Sequence, residues 1–136
     1  MSTRFLVLSI YSIALFILAV IPPIGITIQR AGMMLKLHHI AGFAVHSILV
    51  WIYFAGRSSR PKHWALLVPV MSFLLGVLIE FTQLFLPYRS GRVGDLLQNA
   101  LGIALGQGLI YLALARGWLS TWVKGTTPFG VKGRPD

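Results

Sequence analysis

The chain has 136 residues, of which 56% are apolar and only 11% charged, far below the roughly 25% charged residues of an average soluble domain. One modest soluble core could not absorb that much apolar surface, so the composition excludes an ordinary water-soluble fold and points to the bilayer. Twelve Lys and Arg against three acids give a net charge of +9. The basic residues fall between apolar stretches, so the charge reads as membrane topology rather than nucleic-acid binding.

Four spans follow in chain order. Phe5 to Ile28 carries no charge and is long enough for a hydrocarbon core that needs about 20 helical residues. Its apolar run exceeds a secretory signal core, and Pro22 and Pro23 follow without an Ala-x-Ala pattern, so a retained helix that the prolines kink or end is expected. Leu37 to Gly56 is the second span, free of Lys, Arg, Asp and Glu but carrying His38, His39 and His46. Trp64 to Tyr88 is the third, interrupted only by Glu80, and Leu96 to Ala115 is the fourth. Residues 1–119 form the transmembrane domain in this reading, and 120–136 a flexible basic cytoplasmic tail. Eight Lys and Arg on one face against four on the other place both termini in the cytoplasm, with segments 29–36 and 89–95 facing outward. The expected fold class is thus an all-α membrane protein, a small bundle of four transmembrane helices.

Apart from Asp136, the only acids are Glu80 and Asp95, and they flank one outward loop. Glu80 and Gln83 share a face of the third span, and Asp95 and Asn99 share a face of the fourth. Glu80 lies about 9 Å inside its span at helical rise, where a bare carboxylate must be paired, protonated or set in a wet cavity. A structural role would pair it with Arg89 and use Asp95 as an N-cap. A functional role would gather these groups into an outward polar cleft, with Glu80 as general base and Asp95 or His39 assisting. Lys36 and Arg89 would receive anionic groups, and Gln83 and Asn99 would orient the substrate.

Asn99, Gly102 and Gly106 form one stripe with Asp95, and Gly102-x-x-x-Gly106 permits close approach to the third or second span. His39 and His46 stand roughly 10 Å apart along their helix, too far to ligate one ion together. A single histidine could still join Glu80 and Asp95 around an ion, but the spacing of a metal motif is missing, and neither metal nor cofactor is assigned. His46 reads as a neutral hydrogen bonder between helices. Nucleotide, zinc-protease and serine-hydrolase motifs are absent from the sequence.

The pattern Lys36, His39, Phe43, then Glu80, Gln83, Pro87, Arg89, Asp95, Asn99, Gly102 and Gly106 resembles the VanZ-like family of bacterial membrane proteins. It departs from that family at Leu35, where an acid is frequent, and at Ile40, where an aromatic is frequent. The resemblance implies a multi-pass protein of the bacterial plasma membrane, and the family's name-giving member is associated with low-level teicoplanin resistance. The expected partners are membrane lipids and a lipid-linked, cell-wall-related or glycopeptide ligand, with no nucleic acid. Catalysis, binding without turnover and a purely structural module all remain open at this level.

Overall fold

The computed structural model describes residues 2–22, 28–55, 61–88 and 92–119. Among them are four helices and no strands: α1 (Thr3–Val20), α2 (Ile28–Ala55), α3 (Pro61–Gln83) and α4 (Val93–Ala115). All four are long and apolar enough to cross a membrane, which establishes the all-α four-span architecture.

The helix ends differ from the expected spans, each for a local reason. α1 stops at Val20, well before Ile28, because Ile21 adopts an extended conformation (φ −64°, ψ 136°) ahead of Pro22, whose ring disfavours a helical residue before it. At its other end Ser2 accepts a hydrogen bond from the Phe5 amide at 3.4 Å, the usual service of a serine N-cap. Segment 29–36, expected as an outward loop, is helical backbone continuous with α2. α3 ends at Gln83 rather than Tyr88 and passes into tight turns ahead of Pro87, which cannot continue a helix. α4 begins at Val93, three residues before Leu96.

α2 packs on all three other helices and shares its most extensive contact with α4, whereas α1 touches α2 and α3 only. The α2–α4 seam is a glycine seam. A Cβ on Gly102 would run into the Ile40 carbonyl, and one on Gly106 would meet Ser47 Oγ and stand 2.5 Å from the Ala44 carbonyl oxygen. Only hydrogen at these positions lets the two backbones come together. Of the two neighbours expected for the Gly102-x-x-x-Gly106 face, it is therefore the second span that receives it.

The bundle is sorted as a membrane protein. Among the described residues its interior holds a small apolar core of Phe43, Ile79 and Ile103 together with seven buried polar residues: His46, Ser47, Ser72, Glu80, Gln83, Asn99 and Gln107. Large apolar side chains such as Leu18, Leu66 and Leu97 are turned outward. α1 has no buried residue at all. Lipid tails solvate apolar surface as well as a protein core does, so the interior is where polar side chains find partners.

One such group fastens three helices. The Ser12 hydroxyl on α1 donates to the Leu8 carbonyl at 2.8 Å, which commits its proton. His46 Nε2, 3.1 Å away, is therefore the donor toward Ser12 Oγ, and Nδ1 accepts from Ser72 Oγ of α3 at 3.1 Å. His46 is thus the interhelical hydrogen bonder expected from its position. Tyr11 adds a second tie from α1, its hydroxyl donating to the Gly42 carbonyl at 3.1 Å.

Candidate functional site

Three helices deliver chemistry to one end of the bundle. Glu80 lies less than a turn before the end of α3, Asp95 in the first turn of α4, and His39 near the start of the apolar part of α2. One ligating atom from each of His39, Glu80 and Asp95 falls within 4.8 Å of the others. Glu80 is buried, while His39 and Asp95 are partly exposed, so the cluster has a closed side and an open one.

Each of the three is held by a neighbour. His39 Nδ1 stands 2.8 Å from Asn99 Oδ1. An amide oxygen only accepts, so Nδ1 carries a proton and donates it to Asn99. Glu80 Oε2 accepts the Arg92 backbone N–H at 3.1 Å, so the first residue before α4 closes over the end of α3. Asp95 Oδ1 accepts from Gln98 Nε2 at 3.4 Å, three residues along α4.

Asp95 is not the N-cap that a structural role would make of it. Arg92 occupies that position without a side-chain cap bond, and Asp95 lies in the first turn, where the positive end of the helix dipole favours a carboxylate. The earlier start of α4 moves Asp95 from a capping position to one inside the helix.

Asn99 is completely buried. Its Nδ2 lies over Gly76 of α3, where a Cβ would come within 3.0 Å of it. Gly76 therefore makes the room in which Asn99 orients His39. Asn99 was expected to orient a substrate; what it touches is His39. Gln83 is buried, and its Nε2 donates to the Ala19 carbonyl at 2.9 Å. Tyr88 does the same for the Val20 carbonyl at 3.0 Å. Together they supply donors to carbonyls in the last turn of α1, which the helix itself leaves unpaired.

The candidates Lys36 and Arg89 lie outside what the structure describes: only the backbone of Lys36 is placed, within α2, and Arg89 falls between the described segments. The expected pairing of Glu80 with Arg89 lies outside them too. His38, the alternative to His39, is exposed and is not in the cluster. Sequence reasoning passed over Ser12, Ser72, Gly76, Tyr88 and the Arg92 amide. The two serines could have been noticed as polar residues inside charge-free runs, but the Arg92 contact is made by backbone and leaves no side-chain signal.

The model of the family described as VanZ/LLP1 matches residues 4–114, a stretch that contains all four helices almost entirely and every member of the cluster. No curated protein matches the chain, and no solved structure matches it.

Proposed function

The chain belongs to the VanZ/LLP1 family, and on that premise we propose that it is a membrane enzyme acting on the polar headgroup of a membrane amphiphile, a lipid-linked or cell-wall-related molecule. The observation that carries this reading is the meeting of His39, Glu80 and Asp95 from three helices within 4.8 Å. Ionisable groups inside a membrane domain are expensive to maintain and mark functional sites. A hairpin needs no buried carboxylate, and still less a second one drawn from the neighbouring helix.

His39, Glu80 and Asp95 are the reacting centre in this reading. Asn99 fixes the tautomer and orientation of His39, and the Arg92 amide fixes the Glu80 carboxylate. Lys36 and Arg89, near this end in sequence, supply positive charge for an anionic headgroup. Gln83 serves by anchoring α1 rather than by touching substrate. Both termini are cytoplasmic, and the cluster faces the outer side of the plasma membrane, where cell-wall intermediates and glycopeptides are found. A contribution to teicoplanin resistance, the association of the family's name-giving member, is part of the proposal.

The test uses protein purified in detergent and incubated with bacterial lipid extract, with mass changes followed in the lipid fraction. The wild type is expected to convert at least one headgroup species, and Glu80→Gln and Asp95→Asn are expected to abolish the conversion while keeping helical content. Loss of teicoplanin tolerance in cells carrying either variant is the matching phenotype. Saturable lipid binding without any product would replace this reading with a binding module. Retained function in both variants would leave only a structural one.

A further inference from the structure

Two carboxylates and an imidazole brought this close are a ligand set as well as an acid–base set, and the groups around them distinguish the two. A metal-ligating histidine nearly always donates its second ring N–H to a fixed acceptor, and ligating carboxylates are themselves hydrogen-bonded. Both features are present. His39 gives its Nδ1–H to the buried Asn99 Oδ1, so Nε2 is the nitrogen left to ligate in the proposed site. Glu80 is anchored by the Arg92 amide and Asp95 by Gln98.

We propose that His39, Glu80 and Asp95 bind one divalent first-row transition-metal ion, zinc being the best fit, whose remaining positions take water or an anionic oxygen of the headgroup. This rests on the functional reading above and names what its three groups hold. The donor set selects the class of ion: imidazole suits zinc and its neighbours, whereas magnesium and calcium take oxygen ligands almost exclusively. Three protein ligands with open positions are the pattern of catalytic rather than structural zinc sites. A dication also complements two carboxylates whose oxygens lie within 4.8 Å of each other. Closing round zinc, with bonds of about 2.0–2.2 Å, needs ligand atoms about 3.3 Å apart. Side-chain rotation within a partly open cluster supplies that contraction.

The experiment is titration of the chelator-stripped, full-length protein in detergent with Zn²⁺, followed by calorimetry, and with Co²⁺, followed by its visible absorption. The expected result is one equivalent of Zn²⁺ and a Co²⁺ spectrum of an ion with nitrogen and oxygen ligands, displaced by Zn²⁺. His39→Ala and Asp95→Asn are expected to weaken binding more than 100-fold. Asn99→Ala should weaken it about 10- to 100-fold, the usual effect of removing such an orienting partner. His38→Ala, outside the cluster, should bind as the wild type does. Should a variant fail to fold, the Co²⁺ spectrum of the wild-type protein still decides the matter. No stoichiometric uptake, or equal uptake by the His39→Ala protein, overturns the metal site. If headgroup conversion nevertheless persists in chelator, the enzyme reading survives without the metal. If zinc binds at one equivalent and no lipid species changes, the site stands and the enzyme reading falls.

Discussion

His39 on α2 and Asn99 on α4 meet at 2.8 Å across the tightest helix pair of the bundle. The contact engages Nδ1 of His39 and holds the ring from a residue without any exposed surface. Asn99→Ala is therefore expected to act through His39. We expect a stability loss of about 0.6–1.7 kcal/mol, the range for hydrogen bonds between membrane helices, and at least a tenfold loss of headgroup conversion. Unfolding in mixed micelles measures the first, and the lipid assay the second. A Gln at this position, which keeps an amide but lengthens it, should recover little, because the side chain is completely buried and an extra methylene overpacks such a site.

The glycine seam makes a sharp comparison between positions on one helix. Gly102→Ala and Gly106→Ala place a methyl group against backbone carbonyls of α2, so the helices must separate. Each is expected to cost about 1–3 kcal/mol, as overpacking does elsewhere. Gly108 and Gly94 have nothing near a new Cβ, and alanine there should be neutral or stabilising by up to about 1 kcal/mol through helix propensity. Equal losses at all four positions in an unfolding series would refute the seam.

Removing the His46 ring should unfasten α1, α2 and α3 together. Because Ser12 donates to its own helix, His46 must donate from Nε2 and accept at Nδ1. A double-mutant cycle between His46→Ala and Ser72→Ala is expected to give a coupling of about 0.5–2 kcal/mol. Ser72→Ala on its own should leave lipid conversion unchanged, since this group lies apart from the cluster.

α1, with no buried residue, depends on donors lent by its neighbours. Tyr88→Phe removes the bond to the Val20 carbonyl, and Gln83→Leu removes the one to Ala19. Each should cost about 1 kcal/mol, and together they should raise amide hydrogen exchange in the last turn of α1 with little change in α4. Were Gln83 a substrate contact instead, its loss would change KM for the lipid and leave exchange untouched.

The spans were legible because a bilayer imposes a condition on the sequence alone: about 20 residues without charge. Glu80 and Asp95 stood out by the same condition, being the only acids apart from the last residue. Helical spacing put Asn99, Gly102 and Gly106 on one stripe of the fourth span, and all three are buried in α4. Spacing also brought Gln83 to the face of Glu80, yet the two serve different neighbours. A side chain's partner depends on which helix lies opposite it and at what height.

The sequence by itself determined a four-helix membrane architecture and the few ionisable residues able to do chemistry in it, because burying charge in lipid is costly enough to leave a mark on composition. Only the tertiary structure decided that α4 starts early enough to put Asp95 inside the helix rather than at its cap. It also decided that Asn99 holds His39 and that His39, Glu80 and Asp95 converge. Those outcomes turn on helix register and interhelical distance, set by glycine contacts and side-chain hydrogen bonds whose partners lie up to 60 or more residues away along the chain.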